Sequence, residues 1–195
     1  MKLISPLPAG LNRWHPAVWL ATWFGCGQSR FAPGTVGSLA ALPVAWILYS
    51  LFGQTAVMVA AIVISAIGVW AAGYFVRNSV AEESSETNLG EHDPARHEPD
   101  RHDPGMIVID EVAGQLTALA LLPSALIWPA NNDITDSMIC YGAAFILFRV
   151  LDITKPGPIM WCERRWSGGF GVVVDDIVAG IITGLVISAA ARLIF

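Results

Sequence analysis

Asp110-Glu111 and Asp175-Asp176 stand beside the most apolar stretches of the chain, and Asp152 with Lys155 makes a third charged site between them in sequence. An ionised carboxylate at a membrane edge or in a low-dielectric core is costly unless a cation or hydrogen-bond donors compensate it. These residues therefore imply a ligand, and a divalent metal is the first candidate. Mg²⁺ takes hard oxygen ligands, keeps several waters, and is usually held by a carboxylate or two together with substrate phosphate. The acidic groups exceed that demand. Some would bind metal directly while others orient water or act as a base, and a two-metal arrangement is compatible with their number. Arg149 and Lys155 would offset phosphate charge during a reaction. Their bland reading is snorkelling at a membrane surface. For the acids the bland reading is capping of helix N-termini, worth about 0.3–1 kcal/mol through the macrodipole. Capping seldom needs two adjacent carboxylates, and it does not account for Asp152.

A second unusual stretch, Phe24 to Ser38, carries Gly25, Gly27, Gly34 and Gly37 and runs directly into an apolar segment expected to be helical. Glycines let backbone N–H groups approach an anion, and a helix N-terminus adds its dipole, so this loop fits a phosphate or a lipid headgroup. Thr35 or Ser38 serving as a plain N-cap is an equal reading. The spacing is neither that of a P-loop nor that of a Rossmann turn.

The elements that must position these residues are apolar helices. The chain of 195 residues is 54% hydrophobic and 14% charged, against about 25% charged for an ordinary soluble domain, and this is a membrane composition in a single domain. The acidic excess comes largely from one stretch between Glu82 and Asp103, so nucleic acid is not an expected partner. Cys26, Cys140 and Cys162 are odd in number and widely spaced, as free thiols or apolar fillers would be. None begins the Cys-x5-Arg spacing of thiolate phosphatases. Met1 to His15 has no apolar core of signal-peptide length, so no cleavage is expected.

Long apolar runs predict an all-α polytopic bundle of four to five spans: Val36–Phe52, Thr55–Val76, Ile107–Trp128, Met138–Leu151 and Val172–Phe195. A crossing needs roughly 20 residues, so Met138–Leu151 is short. Ala17–Phe24, with Trp14, Trp19 and Trp23, reads as an interfacial helix. If five spans alternate, ten of the eleven Lys and Arg residues fall on one side and Arg192 alone near the other, which makes the first side cytoplasmic. Both acidic pairs and Asp152-Lys155 fall on that same side.

Four blocks now stand in order along the chain: Ala32 to Ser38, Ile109 to Gly114, Phe148 to Ile159 with its Asp-x-x-Lys-Pro-x-Pro-Ile core, and Gly169 to Gly180 with Asp-Asp-x-x-Ala-Gly. Together they resemble bacterial phosphatidylglycerophosphatase A, over nearly the whole chain from Trp14 onward. The resemblance implies a Mg²⁺-dependent lipid phosphatase of the bacterial inner membrane, hydrolysing phosphatidylglycerophosphate to phosphatidylglycerol and phosphate at the cytoplasmic face. By that carry-over Asp110, Glu111, Asp152, Asp175 and Asp176 are the metal candidates, and Asp110, Asp152, Lys155, Asp175 and Asp176 the catalytic ones. Pro33, Gly34, Thr35, Arg149 and Lys155 are expected to hold the phospholipid substrate. The expected chemistry is attack by metal-activated water, with an aspartyl-phosphate on Asp152 as the rival.

Residues 79–105 depart from the family pattern through a repeat, His92-Asp93-Pro94, His97-Glu98-Pro99 and His102-Asp103-Pro104. Its proline and charge predict a disordered polar loop rather than a metal site. Two other functional classes compete. A phosphotransferase acting on a CDP-activated lipid would carry Asp-Gly-x-x-Ala-Arg, which is missing, and a cation transporter would carry its acids mid-span rather than toward one face.

Overall fold

The computed structural model describes residues 4–8, 11–87, 105–127 and 134–194. The chain is helical, in the order α1 (Pro16–Ala21), α2 (Pro33–Phe52), α3 (Gln54–Thr87), α4 (Ile109–Ala120), α5 (Ser124–Ile127), α6 (Ile134–Thr154), α7 (Pro158–Arg165) and α8 (Gly168–Ile194). Among the described residues there is no strand, only an isolated bridge between Ile4 and Ser29. The expected all-α membrane bundle is what forms.

Among the described residues, four helices are long and apolar enough to cross a bilayer: Pro33–Phe52, Gln54–Ser79, Ser137–Thr154 and Gly168–Leu193. Their large side chains, Leu39, Ile47, Met58, Ile62, Ile146 and Leu185 among them, are exposed outward, as expected where lipid replaces water. Gly53 turns α2 into α3 at φ +77°, with its N–H on Tyr49 O at 2.8 Å. A residue with a Cβ would be strained at that φ.

Several elements differ from the sequence expectation. α6 is longer than Met138–Leu151, because its backbone stays helical through polar Thr135, Asp136 and Ser137, where an apolar scan stops. α3 continues to Thr87 through a stretch that composition assigned to the polar loop, since Ala81, Glu82, Glu83 and Glu86 are strong helix formers. The histidine repeat lies outside the described residues. The third difference is α4, which has 12 residues and so a length of about 18 Å, too short to cross alone.

α4 nevertheless joins the two ends of the bundle. At its C-terminal end Gln54 Nε2, from the first residue of α3, donates to Ala120 O at 3.0 Å and to Leu122 O at 2.7 Å. Ser188 Oγ from late α8 donates to Leu121 O at 3.0 Å. These bonds satisfy carbonyls that a helix end leaves unpaired, which matters most in an apolar bundle. The N-terminal end of α4 carries Asp110 and Glu111. The short helix is therefore the buried axis of the bundle, and every residue from Val112 to Leu116 is buried.

Small residues let α8 lie close against it. A Cβ on Gly180 would collide with Gly114 O, and one on Gly114 would collide with Asp176 O and the Phe148 ring. This is the small-residue packing by which membrane helices approach one another. At the N-terminus α1 docks on α3 through buried Ala17, Val18 and Ala21, and His15, whose Nδ1 accepts from Ala17 N at 3.2 Å, stacks on Tyr74 at 3.9 Å. Its helix ends at Ala21 instead of running to Phe24, because Trp23 and Phe24 take left-handed φ of 45° and 56°.

Gly180→Val should separate α8 from α4 and destabilise the protein by about 1–3 kcal/mol, the usual range for overpacking. Gly142→Ala, where a Cβ meets nothing within 4 Å, should be neutral. Thermal unfolding in detergent checks both.

Candidate active site

Three helices bring acids to one region from different positions along their lengths. Asp110 and Glu111 lie in the first turn of α4. Asp175 and Asp176 are the eighth and ninth residues of α8, about 10–12 Å along it. Asp152 lies in the last turn of α6. Capping can contribute only at α4, where Asp110 Oδ1 accepts from Glu111 N at 3.0 Å. Mid-helix α8 has no spare N–H groups, and the C-terminal end of α6 repels a carboxylate.

One carboxylate oxygen each from Asp110, Glu111 and Asp176 lies within 4.8 Å of the others. Asp110 and Asp176 are 2% and 3% exposed. If ionised, three groups at that spacing repel by roughly 3–4 kcal/mol per pair at an effective dielectric of 20, a repulsion that a bound cation would relieve. Glu111 Oε2 is buried and accepts no hydrogen bond. Hard oxygen donors, close spacing and an unpartnered oxygen suit a divalent metal, and among the described residues these three form a group that could hold one.

The other two predicted metal candidates are each held by a side-chain cation. Arg149 Nη1 forms an ion pair with Asp152, lies 3.8 Å from Glu111 Oε1, and is 3.5 Å from Ser38 Oγ. Lys155 Nζ donates to Asp175 Oδ2 at 2.7 Å and to Glu163 Oε1 at 2.8 Å. Burial works to lower the Lys155 pKa, but the hydrogen bonds and charges of Asp175 and Glu163 outweigh it and leave the ammonium above the ordinary lysine value. Asp175 Oδ1 is buried with no hydrogen-bond partner.

Local backbone geometry places Lys155. Its φ is +43° and its N–H bonds Leu151 O at 2.8 Å, which ends α6 in a left-handed residue before Pro156. Gly157, at φ +38°, then turns the chain into α7. A non-glycine residue there costs about 1 kcal/mol or more, which the two carboxylates on Nζ offset. α7 packs on the bundle through Ile159 and Cys162.

Pro33, Gly34 and Thr35 do not form a loop but the first turn of α2. Neither Thr35 nor Ser38 is its N-cap. That position is Ala32, with no side-chain cap, while Ser38 Oγ donates back to Gly34 O at 2.9 Å. A Cβ on Gly34 would collide with Glu111 Oε1 and crowd Arg149, so this turn lies directly against the site. Of the residues singled out from sequence, Asp110, Glu111, Asp176, Arg149, Asp152 and Gly34 are thus tied together by close approach, Lys155 is tied to Asp175, and Pro33 and Thr35 flank Gly34 in the first turn of α2. Glu163 was missed, because it falls in a short amphipathic helix with no acidic pair to mark it.

The family model described as phosphatidylglycerophosphatase A matches residues 19–191. The chain belongs to that family. It is 35% identical over 179 residues to the phosphatidylglycerophosphatase A of Escherichia coli K12, covering 88% of this chain and 80% of the relative. The Haemophilus influenzae Rd protein of the same name is 32% identical over 175 residues, with 90% and 88% covered. A Bacteroides thetaiotaomicron protein provisionally named a phosphatidylinositol-3-phosphatase is 35% identical over 174 residues, with 89% and 92% covered. No solved structure matches the chain. Family membership makes the bundle a membrane phosphatase.

Lys155→Met should leave Asp175 buried and uncompensated and cost about 3–5 kcal/mol. Adding Asp175→Leu should recover most of that loss. Denaturant unfolding of the single and double variants measures the difference.

Proposed function

We propose that the protein is a Mg²⁺-dependent phosphatase that hydrolyses phosphatidylglycerophosphate to phosphatidylglycerol and inorganic phosphate at the cytoplasmic face of the bacterial inner membrane. The observation that carries this reading is the buried Asp110, Glu111 and Asp176 cluster beside two cations and the first turn of α2, in a chain of this family. The one-sided distribution of basic residues in the sequence supports the cytoplasmic side.

Asp110, Glu111 and Asp176 would hold the metal. When bound, Mg²⁺ supplies Lewis-acid stabilisation of phosphate charge and acidifies water. The chain supplies the rest. Arg149, Lys155 and the first-turn N–H groups of Gly34 and Thr35 bind and orient the phosphate. Water forms the new bond to phosphorus as the bond to the lipid alcohol oxygen breaks. Asp175, whose Oδ1 carries no hydrogen bond, accepts the water proton and passes it to the departing alcohol oxygen. Asp152 is occupied by Arg149, which favours water over Asp152 as the attacking group.

Purified protein should release phosphate from phosphatidylglycerophosphate with Mg²⁺, and EDTA should stop it. Asp110→Asn, Asp152→Asn, Asp175→Asn and Asp176→Asn should each lower turnover by about 10³-fold or more while the proteins remain folded. No phosphate release from this lipid, with activity instead on phosphatidylinositol 3-phosphate or on a CDP-activated lipid, would overturn the proposal.

A further inference from the structure

One residue of the buried axis has no place in the chemistry above. Gln115 is 0% exposed, and both its Oε1 and its Nε2 are without a hydrogen-bond partner. It follows Glu111 by four positions on α4, which puts it on the same helix face, about 6 Å further along the axis. One turn earlier, at Glu111, two more buried atoms are unpartnered: Glu111 Oε2, and Nε of Arg149, whose Nη1 lies 3.8 Å from Glu111 Oε1. On α2, Ser38 is fully buried with its Oγ 3.5 Å from Arg149 Nη1.

A primary amide offers two donors and an acceptor, and burying them unmatched is unfavourable. The unmatched set restricts what fits. A bare cation would satisfy Oε1 and leave the NH₂ group unmatched. A phosphate oxygen would satisfy Nε2, leave Oε1 unmatched, and face the Glu111 carboxylate. A hydroxyl both donates and accepts, and so answers both ends of the amide.

We propose that Gln115 is a binding residue for a hydroxyl group, one helical turn deeper than the carboxylates. This rests on the lipid-phosphatase reading. A phosphate monoester held at the carboxylates has its alcohol on the lipid side, and in phosphatidylglycerophosphate that alcohol is a glycerol with a free secondary hydroxyl. An ordered water offers the same chemistry.

The test compares wild type and Gln115→Leu on phosphatidylglycerophosphate and on its 1,3-propanediol analogue, which lacks the secondary hydroxyl. If the headgroup supplies the group, wild type should lose about tenfold in kcat/KM on the analogue, and Gln115→Leu should treat the two lipids alike. If water supplies it, the variant should lose activity equally on both lipids, and wild type should not discriminate between them. Full activity of the variant with retained discrimination would overturn the proposal. Thermal unfolding without substrate is a separate arm. If the headgroup supplies the hydroxyl, replacing the unmatched amide by an apolar group of similar size should leave the midpoint unchanged or raised, and a lowered midpoint would mean that the amide is already matched in the free protein, by water or by the fold, and would count against a headgroup site. Failure of wild type to release phosphate from either lipid would instead count against the phosphatase reading, and the unfolding result would still decide for or against Gln115.

Discussion

Desolvation of carboxylates is the constraint on which the bundle depends. Asp110, Glu111, Asp152, Asp175 and Asp176 are all buried or nearly so, and each needs a compensating charge that the apolar surroundings do not supply. Asp152 is paired with Arg149, which also lies 3.8 Å from Glu111, and Asp175 is paired with Lys155. Asp110, Glu111 and Asp176 face one another across less than 5 Å. Negative charge thus outnumbers positive within the site, and the excess sits where three hard oxygen donors converge. Such a cluster could hold a cation, which would relieve the repulsion.

The backbone features of the bundle serve that convergence. Gly114 and Gly180 draw α8 against α4 closely enough for Asp176 to reach Asp110 and Glu111. Gly34 does the same for the first turn of α2, because any side chain there would occupy the space of the Glu111 carboxylate. The left-handed Lys155 and Gly157 fold α7 back over the site, so that Glu163 meets the lysine from one side while Asp175 holds it from the other. Close approach, rather than length, is what α4 contributes.

Much of this was legible in the sequence, for a physical reason. Charge is so unfavourable in apolar segments that Asp110, Glu111, Asp152, Asp175 and Asp176 could be singled out without knowing their neighbours, and long apolar runs located four spans. What one-dimensional pattern could not give was pairing. Nothing in spacing alone says that Arg149 takes Asp152 while Lys155 takes Asp175, since these contacts follow from how α6 ends and α7 turns back. Glu163 and Gln115 were invisible for related reasons. One is an ordinary acid in a short helix, and the other is a neutral amide whose significance lies wholly in being buried without a partner. The boundaries that moved, at α3 and α6, did so because backbone helicity continues through polar residues that end a hydropathy run.

The three helices also place their acids in three different electrostatic settings, and this bears on what selected them. The first turn of α4 is favourable for a carboxylate, the middle of α8 is indifferent, and the last turn of α6 is unfavourable. If helix ends governed the placement, the acids would follow the dipoles. They do not: Asp152 stands at the wrong end of α6 and is tolerated there because Arg149, one turn earlier on the same helix, reaches back to it. Asp176 sits where backbone donors are all in use, with other carboxylates around it. The feature these positions share is a region of space between α4, α6 and α8, and it is convergence on that region, not the local preference of any helix, that the five have in common.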